Sequence, residues 1–382
     1  REAVKYLKTI LKAYKYRIYA NKQQTELINK TIGCCRFVYN HYLAQRIELY
    51  KTKQKSMTYN VCANDLTNLK KQYEWLREVD SISLQQSLKD LDLAYQNFFR
   101  RVKNGEKEVG FPKFKSKKNP KQSYRTQNVN NNISITNNKI KIPKLGYVKF
   151  SNSRSFEGKI NSCTISKTST GKYFVSVLVT EDIQELPQNN NAIGFDLGIA
   201  DYLITSDGEV VNNPKILKQY EDKIIKLQRQ LAHKKKGSNR YKKQSKKIAK
   251  VHERIRNIRT DFLQKLSTQI IKENQLIVSE DLSVKGMVQN HKLAKAISDV
   301  SWSEFCRMIE YKSVWHDKIY HKIDRFYASS QTCNVCGYKN TDTKDLNVRQ
   351  WICPKCNANH QRDVNAAVNI LNQGLKELGL TA

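Results

Sequence analysis

The sequence predicts an α/β multidomain protein that works on a polyanion, and three observations carry that prediction. Hydrophobic patterns of period two and of period three to four alternate in blocks along 382 residues, a length that accommodates two or three domains. The formal net charge is +33, from 68 Lys+Arg against 35 Asp+Glu, far beyond what solubility asks. Such a surplus points to nucleic acid. Four of the nine cysteines fall in two Cys-x-x-Cys pairs. The odd number and the absence of an opening signal segment argue against a disulfide framework and for a reducing compartment, so a cytoplasmic protein is expected. No window reaches the roughly 18 apolar residues of a spanning helix, so a membrane partner is not expected.

The elements follow in order. Leu11 to Ile18 mixes basic and β-prone residues and predicts a strand; from Asn21 the spacing of Leu27, Ile28 and Ile32 predicts helix. Between Leu84 and Phe99 the apolar positions step by three and four as one helix face, ending before Asn104 and Gly105. Its other face carries Gln85, Gln86, Lys89, Gln96 and Arg100, which suits either solvent or a duplex. The stretch GFPKFKSKKNPKQSYR has too few aliphatic side chains for a buried element. It interleaves Phe111, Phe114 and Tyr124 with basic residues including Lys113, Lys115 and Arg125. Rings beside phosphate-binding charges suit RNA; a flexible linker is the bland alternative. From Asn132 to about Thr180, short alternating runs separated by Asn, Gly and Ser predict a small antiparallel β-domain.

Leu186 to Asn191 reads as a boundary. AIGFDLGIADYLITSDGEVV then predicts two or three strands, followed by two amphipathic helices broken by the polybasic HKKKGSNRYKKQSKK. A strand at QLIVSEDLSV, a helical region through Trp302 and Phe305, the cysteine pairs and a last helix DVNAAVNILNQG complete the chain.

Three carboxylates stand out. In AIGFDLG the strand period sets Ile193, Phe195 and Leu197 on one face and Ala192, Gly194 and Asp196 on the other. A carboxylate in mid-strand needs a pair, a cap or a metal ion. At the next strand, Glu280 lies in phase with Leu276 and Val278, yet Asp281 beside it competes for the same role, as does a loop or cap role for either. Asp363 precedes an apolar helical run, where Asp most often is an N-cap; Ala366 and Ala367 would let this helix approach a sheet closely. Carboxylates gathered from such separated positions could hold a pair of Mg²⁺ ions that hydrolyse a phosphodiester.

Cys333-x-x-Cys336 and Cys353-x-x-Cys356 are 16 residues apart, the spacing of a zinc ribbon, and four thiolates make the expected Zn²⁺ structural. His360 lies near the group, and a nucleic-acid contact or a surface position is expected for it. The other five cysteines, Cys34, Cys35, Cys62, Cys163 and Cys306, stand among apolar neighbours and are expected to pack as small hydrophobes.

Taken together, KAYKYRIYANKQQ, GCCRFVYN, SLQQSLKDLDLAYQNFF, GFPKFKSKK, GFDLGIADYLITSDG, VSEDLSVKGM, ISDVSWSEF, SSQTCNVCG and HQRDVNAAVNIL, in that order, resemble the TnpB family, the RNA-guided nucleases of insertion sequences and relatives of type V CRISPR effectors. The resemblance implies a RuvC-like, RNase H-type nuclease domain with a zinc-ribbon insertion, and a helical recognition lobe inserted in a small β-barrel (wedge) domain. In this chain the expected divisions are wedge at 1–20 and 126–187, helical recognition at 21–125, and nuclease at 188–329 with a helical hairpin at about 214–273. The ribbon follows at 330–358, and 359–382 completes the nuclease. It implies Asp196, Glu280 and Asp363 as catalytic Mg²⁺ ligands, choosing Glu280 over Asp281. A guide RNA from the transposon end and a double-stranded DNA target are implied as well; one protomer per RNA and a prokaryotic, nucleoid-associated location are expected alongside, although the sequence leaves one or two protomers per RNA open. Guide pairing would then select the sequence while the protein reads a short flanking motif. Expected nucleic-acid contacts are Gln85, Gln86, Lys89, Lys113, Lys115, Arg125 and Arg362. One departure is Gln361, where an acidic residue is common in the family. A compact CRISPR effector, a nuclease-inactive DNA-binding regulator and a strand-transfer transposase are the competing readings.

Overall fold

The computed structural model describes residues 7–184, 186–290, 293–345 and 347–380, and divides into two compact units, Thr9–Asp182 and Ile183–Ala382 with Arg1–Lys8. Among the described residues no helix is long and apolar enough to cross a membrane.

In the first unit, strand β1 (Leu7–Tyr19) is followed by helices α1 (Lys22–Lys53), α2 (Tyr59–Gln72) and α3 (Ser81–Lys103). Asn21 starts α1 through a capping box with Gln24, as the change of pattern at that residue predicts. Asp80 caps α3 by accepting from the amides of Ile82 and Ser83, and accepts from Thr126 Oγ1 at 2.5 Å, which fastens α3 to β2 (Gln122–Gln127). Strands β3 (Ser134–Thr136), β4 (Lys139–Ile142), β5 (Gly146–Phe150), β6 (Lys159–Lys167) and β7 (Tyr173–Gln184) complete a seven-stranded sheet in the order β2-β6-β7-β1-β5-β4-β3. The three helices are thus inserted between two strands of one sheet, and their apolar faces share a single core with it. Strand β2 corrects the expectation that the stretch ending in Tyr124 and Arg125 forms no buried element. Tyr124 pairs with Ile165 and is buried, because the lysine-rich part stops at Lys121 and the following residues can line a strand.

The second unit opens with β8 (Ala192–Leu197), β9 (Asp201–Thr205) and β10 (Val210–Asn212). Helices α4 (Ile216–Ala232) and α5 (Asn239–Glu273) follow, then β11 (Leu276–Glu280), α6 (Val284–Met287), α7 (Ala294–Val300), α8 (Trp302–His316) and β12 (Ile319–Ile323). Most of the polybasic stretch is helical, since Ser238 caps α5 and only residues 233–238 form the break. The sheet order is β10-β9-β8-β11-β12, with β8 antiparallel to β9 and parallel to β11, and β11 parallel to β12. The ribbon strands β13 (Gln350–Ile352) and β14 (Asn359–Gln361) lead into α9 (Arg362–Glu377).

Alternation along β8 and β11 divides the core as their sequence predicts. Ile193, Phe195 and Ile277 face a cluster with α5, α7 and α8, including Leu263, Ile297, Phe305 and Met308. Ala192, Leu276 and Val278 face Ile370 and Leu371 of α9. At Gly194 the helix comes so near that a Cβ would stand 2.5 Å from the Ala367 carbonyl and 2.7 Å from Leu371 Cβ. The small residues Ala366 and Ala367, both buried, permit this approach.

Candidate active site and thiolate cluster

Parallel pairing of β8 and β11 runs in register to Phe195 opposite Ser279. The next residues, Asp196 and Glu280, therefore leave the carboxyl ends of adjacent strands on the face covered by α9. They stand where the connections diverge, β8 leading to β9 on one side and β11 lying next to β12 on the other, a position where open α/β sheets build their sites. Asp363 enters from the first turn of α9. It is not the N-cap: Gln361 holds that position, without a side-chain cap bond. Both Asp363 oxygens instead receive guanidinium groups, Oδ1 from Arg362 Nε at 2.9 Å and Oδ2 from Arg349 Nη1 at 2.8 Å.

Asp196 feels the other two carboxylates. Burial pushes the Asp196 carboxyl up to about 7, and the charges of Glu280 and Asp363 push the same way, against the Leu197 amide and Arg362. Glu280 is also raised by burial, opposed by the Ser329 hydroxyl, which donates to Oε1 at 2.6 Å. Asp281 points to a different partner, Arg325. Three oxygen-only groups, two of whose charges oppose ionisation of Asp196, are the donor set a hard divalent cation such as Mg²⁺ suits. Their oxygens converge more loosely than the four thiols: among the described residues, only those thiols form a group of three or more potential ligands with all donor atoms within 4.8 Å.

Cys333, Cys336, Cys353 and Cys356 form that tight group, with Cys333 to Cys356 and Cys336 to Cys353 sulfur separations of 3.6 Å. Each pair turns through a knuckle, the amides of Gly337 and Asn357 donating to the carbonyls of Cys333 and Cys353, with both turning residues at positive φ. Despite desolvation, the amides of Cys356 and Lys355 pull the Cys353 thiol down to about 7, toward the thiolate that zinc requires. The geometry fits one structural Zn²⁺ with no open position. His360 departs from the surface position or nucleic-acid contact expected of it. It is buried, with Nε2 3.1 Å from the Cys333 sulfur and its ring 4.6 Å from that of Trp351.

Sequence reasoning missed the fasteners between ribbon and α9. Asn365 Nδ2 donates to the Thr332 carbonyl at 2.7 Å and its Oδ1 accepts from the Asn334 amide at 3.0 Å. Asn369 Nδ2 donates to the carbonyls of Ser329 and Thr332. Buried Asn at i and i+4 within an apolar helix was the available signal.

The other expected contacts divide. Gln85 and Lys89 are exposed on α3, but Gln86 is only 3% exposed and turns inward, so it does not share their face. Lys113 is exposed; Lys115 lies over the Tyr39 ring at 4.1 Å and near Asp90, which Arg125 also engages at 2.8 Å. Arg362 is buried and spent on Asp363, which removes it from the surface where a nucleic-acid contact was expected.

Fold and site define an α/β chain in which a carboxylate trio at strand and helix ends adjoins a four-cysteine ribbon. Family models match residues 174–291 ("Probable transposase"), 302–370 ("Cas12f1-like, TNB domain") and 10–55 ("Helix-turn-helix domain"). The last of these segments holds a strand and one uninterrupted helix over Lys22–Lys53. A Streptomyces pristinaespiralis protein named "Putative RNA-guided DNA endonuclease" is 37% identical over 374 residues, covering 97% of this chain and 90% of the relative. "Putative RNA-guided DNA endonuclease InsQ" of Escherichia coli K12 is 34% identical, covering 95% and 92%. A solved structure titled as the Cas12f1-sgRNA-target DNA complex shares the fold at TM-score 0.62 and 13% identity, covering 95% of this chain and 99% of that one. The chain belongs to the TnpB family.

Proposed function

We propose that this protein is an RNA-guided DNA endonuclease of an insertion sequence, cutting double-stranded DNA beside a short flanking motif by Mg²⁺-dependent phosphodiester hydrolysis. The observation that carries the reading is that the buried Asp196 carboxyl is pushed up by the charges of both Glu280 and Asp363, carboxylates that come from a neighbouring strand and from α9. The names of the relatives, the surplus charge and the shared fold support it. The sheet order β10-β9-β8-β11-β12, three antiparallel strands followed by two parallel ones, is consistent with an RNase H-type nuclease domain of the RuvC kind interrupted by the ribbon. The seven-stranded sheet with its inserted helices would be the wedge and recognition parts that hold the guide RNA, with Gln85 and Lys89 reading the flanking motif. One protomer per RNA is the simplest assembly.

Asp196, Glu280 and Asp363 would hold the catalytic cations, which when bound supply an activated water and stabilise the leaving oxygen. The chain's own groups set the stage for this. Ser329 fixes the rotamer of Glu280 by donating to Oε1, and Arg362, locked under the helix end, holds Asp363 toward the strands. Arg349 neutralises the outer oxygen of Asp363 and, half exposed, is placed to meet a phosphate as well.

A compact type V CRISPR effector is the second reading, favoured by the fold shared with Cas12f1. Expression with the flanking genomic locus and sequencing of the copurifying RNA separates the two. A transposon-end transcript that directs cutting of matching DNA supports the proposal. A repeat-spacer transcript supports the alternative, and a protein without bound RNA contradicts both.

A further inference from the structure

The first unit exposes an aromatic cluster that neither the carboxylates nor the thiolates use. Phe99 is 59% and Phe111 44% exposed. The rings are nonetheless held from behind. Phe111 packs edge-on against Phe98 at 5.2 Å and Tyr95 at 5.6 Å; Phe99 meets Phe98 at 5.2 Å and lies stacked with Tyr95 at 6.2 Å and 28°. Tyr95 is itself buried and fixed by the Arg46 guanidinium 4.1 Å above its ring. Core packing accounts for the contacts at the back of these rings. It does not account for two large apolar faces left toward water.

The surroundings say what would cover them. Residues 100–118 carry eight Lys and Arg against Glu106 and Glu108. Arg100, Lys103, Lys113 and Lys117 are exposed, and Arg101 meets Glu106 at 3.4 Å. An apolar protein partner would not select such a rim, whereas a strand with phosphates outside and bases inside matches it. Bases within a duplex are covered by their neighbours. A folded RNA presents unpaired bases in loops and bulges, and these stack on aromatic side chains.

We propose that Phe99 and Phe111 form a stacking platform for unpaired RNA bases, with the adjoining basic residues of α3 and the segment after it neutralising the strand's phosphates. The proposal rests on the reading of this chain as an RNA-binding protein but not on its cleavage chemistry.

The test uses the full chain freed of copurifying RNA and fluorescence anisotropy with three probes of roughly 12 nucleotides: single-stranded RNA, the same sequence as duplex RNA, and single-stranded DNA; stacking strength sets the expected scale. F99A/F111A is expected to bind single-stranded RNA about tenfold or more weakly and duplex RNA within about twofold of the parent. F99W/F111W retains binding, and its tryptophan emission is quenched by single-stranded RNA. Equal loss on single strand and duplex overturns the platform, as does no loss on either, or bound RNA without quenching in the tryptophan variant. Loss confined to the DNA probe overturns the assignment to RNA. Cutting by the carboxylate variants is measured separately, so failure of the platform and failure of the nuclease reading are distinguishable.

Discussion

The Arg349 guanidinium donates to the Asp363 carboxylate at 2.8 Å, and the Arg349 carbonyl accepts from the Arg362 amide at the same distance. One residue of the ribbon thereby engages both the start of α9 and the carboxylate it carries. Because β13 begins at the next residue and pairs with β14, which leads straight into α9, the position of Arg349 depends on the ribbon being folded. A small thiolate-bound module of this kind has little core of its own, so its order should depend on metal.

Removing the metal should therefore be felt at the carboxylates. The chain is expected to carry one zinc, and Cys353→Ser to lose it. Amides at the start of α9 would then exchange faster, and cutting would fall by about 10–100-fold or more while guide RNA binding is preserved. Metal analysis, hydrogen exchange and cleavage assays on the same preparation check this; unchanged cutting in zinc-free protein would separate ribbon from site.

Gly194 is where α9 touches the sheet. Gly194→Ala puts a methyl group against backbone atoms of Ala367 and Leu371 that cannot rotate away. A cost of about 2–3 kcal/mol or more is expected. Gly374→Ala, whose Cβ would stand 2.5 Å from Val278 Cγ1, should act in the same direction. Gly33→Ala on α1, whose Cβ would meet only the Arg36 Nη2 at 4.0 Å, an ordinary contact, should not destabilise. Urea midpoints followed by circular dichroism rank the three.

Lys312 supplies a pH signature unrelated to the site. It is buried, and burial pulls its ammonium down to about 8; its Nζ donates to the Gln264 carbonyl and to the hydroxyls of Ser267 and Thr268, joining α8 to α5. Below pH 8 it is charged in both folded and unfolded chains, and folding bears the full desolvation cost. Between 8 and the ordinary value of 10.5 the unfolded chain holds more protons, so stability from this group rises with pH. Lys312→Met should remove that rise, up to about 3 kcal/mol across the window, visible as a narrowing difference in Tm between parent and variant from pH 7 to 10.5. A pH-independent difference would contradict the buried-ammonium account.

Much of this arrangement was legible in the sequence. Alternation set Asp196 on the face that α9 covers and put Glu280 in phase with Leu276 and Val278 there, since a shift of one residue would turn a carboxylate into the α5 and α8 core; it did not decide between Glu280 and Asp281, a choice only the resemblance made. Asp363 was only weakly legible: its place before an apolar run is the same as an N-cap's, and what distinguishes it is a pair of arginines, one of them 14 residues away in sequence. Strand β12 escaped notice because IYHKI is a short edge strand with only Ile323 fully buried. Gln86, Arg362, Tyr124 and His360 were misplaced for one reason. Each can face either water or protein, and the neighbour that decides it comes from tertiary packing.

Single-turnover cleavage by guide-loaded protein in Mg²⁺ tests the central claim most directly, comparing the parent with Asp196→Ala, Glu280→Ala and Asp363→Ala while target binding is measured in parallel. The account expects each variant to bind guide and target like the parent and to cut at least about a thousandfold more slowly, as removal of an essential catalytic group does. Cutting at the parental rate by Asp196→Ala would contradict it.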